Sequence, residues 1–154
     1  AMSLIIYTMA GVWKIATAIW QMQHGEMGGF SPYALSYQVA NWIPQLQTEA
    51  PLASFVINYP YVVWPAYLIV QYLQITAIWA MVRPSLQKLY AAELILFHMG
   101  TYLIMGISFH TFIILVIALF FRSPFMPEKT SWQDIAYDLP GFGQLLSYLR
   151  PRTR

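Results

Sequence analysis

From Leu89 to Phe121 the chain runs through apolar residues with hardly a pause. As one helix that reach would extend about 50 Å, far beyond a hydrocarbon core of about 30 Å. It must break, and Met105-Gly106-Ile107-Ser108 is the local breaker. Two membrane-length helices are therefore expected, over about 86–105 (entered from Pro84) and 108–121. Two earlier stretches read the same way. Leu4 to Trp20 (4–20) is just long enough to span, and Tyr61 to Val82 (61–82) is apolar apart from Gln71, Gln74 and Thr76. Pro65 falls in the first turn or two of that segment, where a missing N–H costs little, and Arg83-Pro84 stops it.

Only 9% of the residues are charged and 58% are hydrophobic. A soluble domain carries about 25% charged residues, so this chain lacks the polar side chains to cover itself in water. The expected fold class is an all-α integral membrane protein with about four transmembrane helices plus interfacial amphipathic helices. A transmembrane bundle is expected over 1–124 and an amphipathic tail on the cytoplasmic side over 125–154. With no cysteine there is no disulfide framework and no thiol chemistry. The start is not that of a signal peptide, having no basic leader and a lysine inside its apolar run. Ala1 ahead of Met2 fits either an added residue or a beginning inside a longer reading frame.

Between the first two spans, Gln21 to Pro32 is a glycine-rich break, and Ser31-Pro32 has the form of an N-cap with a first-turn proline. The segment 33–47 that follows suits a helix lying in the interface, with Trp42 at headgroup depth and Pro44 bending or ending it. Near the other terminus, Ser131 to Leu139 reads as a short capped helix broken by Pro140-Gly141, with a further turn over Leu145 to Leu149. This tail is expected to be a membrane-surface foot or a docking segment. The net charge of +2 comes largely from Arg150, Arg152 and Arg154, which suit anionic headgroups rather than nucleic acid.

Charge placement decides the span count. Apart from Lys14, the basic residues are Arg83, Lys88, Arg122, Lys129 and the terminal arginines, while Gln21 to Asn58 has none. Four spans put all of them on one face, as positive-inside bias requires, and make both termini cytoplasmic.

Lys14, inside the first apolar stretch, carries the most functional information. An ammonium at bilayer depth costs about 2.5–3.5 kcal/mol even on insertion scales. It is expected either to be buried against a partner, where a desolvated lysine becomes a potential base, or to snorkel to a headgroup. Glu93 and His98 lie five residues apart in the third helix, and His110 lies in the fourth. A buried Lys14–Glu93 pair is one expectation, and Glu93 near the headgroups is the other. His98 bonded to a neighbouring helix is the plain reading for that residue. His110 is expected at the outer interface, and bis-imidazole ligation with His98 is disfavoured by the spacing. No nucleotide loop, serine triad or zinc signature appears, and no metal site is expected.

Two stretches resemble a known family. Tyr7-Thr8-Met9-Ala10-Gly11-Val12-Trp13-Lys14-Ile15 is similar to the Y-x-x-A-G-x-x-K-[LI] segment of the vitamin K-dependent gamma-carboxylase family. The bacterial relatives of that family are the horizontally transferred transmembrane (HTTM) domain proteins. Phe97-His98, then Ile107-Ser108-Phe109, Ile113-Ile114-Leu115 and Phe120-Phe121-Arg122-Ser123-Pro124, resembles its closing run, in the same order from Tyr7 to Pro124. The resemblance implies that Lys14 is a base toward a reduced quinone, and places His98 in helix packing or in the cavity. The family's membrane domain has further helices, with another histidine, ahead of this segment, and a large soluble domain after it. The resemblance implies that the chain corresponds to a C-terminal half of the membrane domain, expected as a fragment or as a reduced fold completed by a partner.

Two functional classes follow. The preferred one is a non-catalytic membrane accessory subunit packed on other integral membrane subunits, with lipid, quinone or pigment as candidate contacts of its many Trp and Tyr side chains. The alternative is a quinone-dependent enzyme or half-enzyme, with Lys14 catalytic and Glu93 and His98 beside the cofactor. Small-solute transport lacks an internal repeat or paired broken helices.

Overall fold

The computed structural model describes residues 2–45, 49–118 and 130–149, and among them every regular element is helical. Helix α1 spans Met2–Gln23. Its buried positions Leu4, Tyr7, Gly11 and Ala18, with half-buried Lys14 between the last two, repeat every three or four residues. That spacing keeps one narrow seam facing a partner helix. The partner is α4, Pro60–Thr76, which runs antiparallel to α1 and continues as a 3₁₀ helix over Ala77–Met81. A Cβ at Gly11 would lie 2.8 Å from the Ile75 amide nitrogen, so glycine is what lets the two backbones meet.

The change of winding after Thr76 has a visible cause at its edge. The Thr8 hydroxyl accepts the Ile78 N–H at 2.9 Å, holding a backbone donor that a regular α-helix would direct elsewhere. At three residues per turn Ala77 and Ala80 stack on one line, and both are buried, while Ile78, Trp79 and Met81 face outward. Arg83 is extended ahead of Pro84, as the residue before proline prefers. A 3₁₀ turn, Pro84–Leu86, then leads into α5, Gln87–Met105. The Tyr90 hydroxyl donates to Thr76 Oγ1 at 2.7 Å across this turn, tying α5 to α4.

The expected break at Met105–Ser108 is present. Gly106 adopts φ 68°, the left-handed conformation that only glycine enters freely, and α5 stops there. The freed Leu103 carbonyl accepts the Leu52 N–H at 2.9 Å. Helix α6 begins at His110, two residues later than expected, and is regular to Val116; the expected residues 119–121 lie outside the described set.

Helices α2, Ala34–Trp42, and α3, Ala53–Asn58, form a layer across the end of the bundle where α5 finishes. Val39, Ala53 and Val56 make its small core against Val63, Ile104 and Met105, and Ser36 Oγ donates to the Val56 carbonyl at 2.7 Å. One expectation needs correction here. Ser31 does not cap α2: the helix starts at Ala34, and the Ser31 hydroxyl instead accepts the Tyr33 N–H within the preceding turn. Pro60 takes the first position of α4, and Pro65 falls in its second turn, within the first turn or two as expected. Pro44 ends α2 through a short 3₁₀ turn over Ile43–Gln45, and residues 46–48 of the expected interfacial segment lie outside the described set. Helix α3 was not expected at all.

The tail forms α7, Trp132–Asp138, and α8, Phe142–Leu149. Ser131 and Asp134 make the reciprocal capping box that starts α7. The docking alternative describes α7 best. Ile135 and Leu139 pack on the main core, Asp138 accepts from Ser85 and pairs with Arg83 at 3.6 Å, and the Tyr72 hydroxyl donates to the Pro140 carbonyl at 2.5 Å. The bundle therefore has two unlike ends. Arg83, Lys88 and α7 gather at one, and the Lys- and Arg-free residues 24–45 and 49–59 gather at the other.

Candidate functional site

The Lys14 side chain turns into the bundle. Its Nζ donates to Gln74 Oε1 at 2.7 Å and lies 5.5 Å from the centre of the Phe97 ring. The close α1–α4 approach at Gly11 makes this possible, because Lys14 is one turn along the same seam and meets the amide on the facing helix. A charge-assisted hydrogen bond and a cation–π contact each offset part of the desolvation of the ammonium. The snorkelling alternative does not describe this side chain.

The expected Lys14–Glu93 pair takes a different form. Glu93 is buried and near enough for its charge to act on Lys14, but the two do not reach ion-pair contact; Gln74 holds the ammonium instead. The reason is geometric. Gln74 is on the helix that packs directly on α1, whereas Glu93 is on α5, which meets α1 through Tyr7 and Phe97. Nor does Glu93 lie near an exposed rim, for it is only 6% exposed.

His98, 7% exposed, sits in an aromatic box, with Tyr7, Phe109 and Phe112 rings at centroid distances of 6.1, 4.7 and 4.6 Å. The expected bond to a neighbouring helix is not made, since neither ring nitrogen has a hydrogen-bond partner. His110 is exposed, bonded to Ser108 and 6.0 Å from the Tyr102 ring. Among the described residues no group of three metal-capable side chains comes together.

Three residues join this constellation that were not singled out as site residues from sequence: Tyr7, Gln71 and Gln74. Tyr7 lies beside the Gln74 amide without a hydrogen bond of good geometry, and Gln71 is buried with its Oε1 unpartnered. A signal was present, because Tyr7 and Lys14 are one heptad apart and the two glutamines are amides within an apolar span. The result is a polar core shared by three helices. One ammonium is held, and the Glu93 carboxylate, both His98 nitrogens, the Tyr7 hydroxyl and the Gln71 carbonyl lack partners. Buried groups of this kind are normally satisfied, and leaving each bare costs about 1–3 kcal/mol.

Two open clefts lie elsewhere. One of about 270 Å³ is lined by Arg83, Ser85, Thr130, Asp134 and Asp138, and an apolar one of about 220 Å³ by Met27, Tyr33, Ser36, Tyr37 and Ile57. Neither touches Lys14. Compared with protein-family models, curated proteins and solved structures, the chain matches none of them.

Proposed function

We propose that the chain is a multi-pass, non-catalytic integral membrane subunit that packs on a larger membrane assembly. Ser3–Gln23 and Pro60–Met81 are long and apolar enough to cross a membrane, and at most 22% of either is buried within the chain. In this reading α5 and α6 supply the third and fourth spans. Both termini then lie on the cytoplasmic side with Arg83 and Lys88, in keeping with positive-inside bias.

The outer face of α1 carries the accessory reading. Ile6, Met9, Val12, Trp13, Ile19 and Trp20 are all exposed, and Ile6, Trp13 and Trp20 recur at heptad spacing. This is a second seam, opposite the one that packs on α4, and Trp13 at 74% exposure is its most prominent member. A heptad seam of large side chains suits another helix. Lys14 then acts in packing: a polar residue in the inner seam fixes the register of α1 against α4. Lipid, quinone or pigment are candidate contacts of the same aromatic face.

A second reading, a quinone-dependent enzyme of the gamma-carboxylase and HTTM kind with Lys14 as base, is favoured by one observation. The polar atoms of Glu93, His98, Tyr7 and Gln71 are buried without partners on the same three helices that carry that lysine and its neighbours, as a site completed by a ligand would require. Its affinity with that family rests on the segments Tyr7–Ile15 and Phe97–Pro124.

The test extracts the full chain from its own membrane with surrounding lipid and measures particle mass and turnover. An accessory subunit runs in a stoichiometric complex, and Lys14→Met leaves the activity of that complex unchanged. Loss of turnover with assembly intact would move the assignment to the enzyme reading. Binding of a reduced naphthoquinone by the purified chain, with faster oxidation of it by dissolved oxygen (reduced to peroxide) that is lost in Lys14→Met, would do the same.

A further inference from the structure

We propose that α8 is a lipid-reading anchor that lays its outer face on an anionic leaflet beside the Arg83 end of the bundle. This rests on the membrane reading above but not on the accessory one. Phe142, Leu145 and Leu149 follow one another at three- and four-residue spacing, on a single stripe of the helix, and are 50%, 56% and 71% exposed. Gly143 faces the other way, packed so closely on the Tyr137 carbonyl that no Cβ fits. The inner side of the α7–α8 pair is thereby used up, while no described residue covers the apolar stripe.

Two observations choose the occupant. The pair is docked through Asp138 to Arg83 and Ser85 and through Pro140 to Tyr72, so it lies against the half of the membrane-length helix Pro60–Met81 that leads to Arg83. The sequence then continues directly from the stripe with arginine at 150, 152 and 154. An apolar stripe flanked by clustered cations is the chemistry that binds the boundary between acyl chains and anionic headgroups. A protein partner would not need that cluster.

The absence of cysteine allows a clean test on the full chain. An environment-sensitive dye is placed at Tyr148→Cys, a position 94% exposed beside the stripe, and the protein is reconstituted into nanodiscs of phosphatidylcholine with or without phosphatidylglycerol. In anionic discs the dye emission shifts to the blue and lipid-borne quenchers reach it. Raised salt, or Arg150, Arg152 and Arg154→Gln together, reduces the quenched fraction by about half or more. Quenching indifferent to lipid charge and to the arginines would overturn the proposal. So would a dye that stays in water, or one shielded from both lipid and water as a protein contact would shield it. Dyes at Ile6→Cys and Ile69→Cys keep the two readings apart, because both must be quenched whatever the lipid charge. If they are not, the membrane reading itself fails.

Discussion

Lys14 Nζ and Gln74 Oε1 meet at 2.7 Å across an antiparallel helix pair, sixty residues apart in sequence. The lysine occupies a position that an apolar residue would fill in an ordinary seam, and the glutamine faces it from the helix that packs directly on α1. Removing either partner strands the other, whereas removing both restores an apolar contact. Gln74→Leu is therefore expected to destabilise more than the double change Lys14→Met with Gln74→Leu. The coupling should be about 0.6–1.7 kcal/mol, the range for hydrogen bonds between helices in membranes. Melting of the four proteins of the cycle in one detergent measures it, and additive effects would remove the bond from any role in stability.

Gly11 sets the distance between those two helices. Gly11→Ala must push α1 away from the Ile75 backbone and is expected to cost about 1–3 kcal/mol. Gly100→Ala is the control, since a Cβ there meets nothing and a helix interior gains about 0.5–1 kcal/mol from alanine. Opposite shifts in melting temperature are expected.

Thr8→Val keeps the shape of the side chain and deletes the acceptor for the Ile78 N–H. The expected loss is about 1–3 kcal/mol, with faster amide exchange at Ile78 than in the parent chain. Unchanged exchange there would show that another acceptor takes over.

His98→Phe separates a packing role from a ligand-holding one. Both nitrogens are unpartnered inside an aromatic box, so a phenyl ring relieves two bare polar atoms and the melting temperature is expected to hold or rise. A fall in stability in native lipid, absent after delipidation, would mean that a bound molecule uses the imidazole.

Asp138→Asn removes the charge that links α7 to Arg83, whose side chain is 59% exposed. A half-solvated pair of that kind contributes about 0–1 kcal/mol, so global stability should barely change. Hydrogen exchange over 132–139 is expected to rise locally, and a chain-wide rise would contradict a peripheral role for the latch.

Much of the helical plan was legible because its markers are local. The apolar stretches, the stop at Arg83-Pro84, the left-handed Gly106 and the capping box at Ser131 each act within a few residues, so composition and spacing expose them. The site was legible only in its owners. Lys14, Glu93 and His98 stood out as ionisable groups in apolar sequence, but which of them would touch depended on which helix packs on α1. That is settled by Gly11 meeting the Ile75 backbone, a contact between residues distant in sequence. Helix α3 escaped for a related reason: its six residues rest on Val39 and Met105, and little in their own sequence demands a helix. The N-terminus of α2 shows how a good capping signal can lose, since the Ser31 hydroxyl is already engaged by Tyr33.

The tightened coil at Ala77–Met81 also sets a length. Each of those five residues advances about 2.0 Å instead of about 1.5 Å, so the rod that begins at Pro60 is about 2.5 Å longer than uniform α-winding would make it. Rewinding it would do more than shorten the rod. At about 100° per residue in place of 120°, the far end would swivel by roughly a quarter-turn, carrying Trp79 and Met81 around the axis and breaking up the line of Ala77 and Ala80. Reach and rotation are thus geared together, with the Thr8 hydroxyl acting as the pawl.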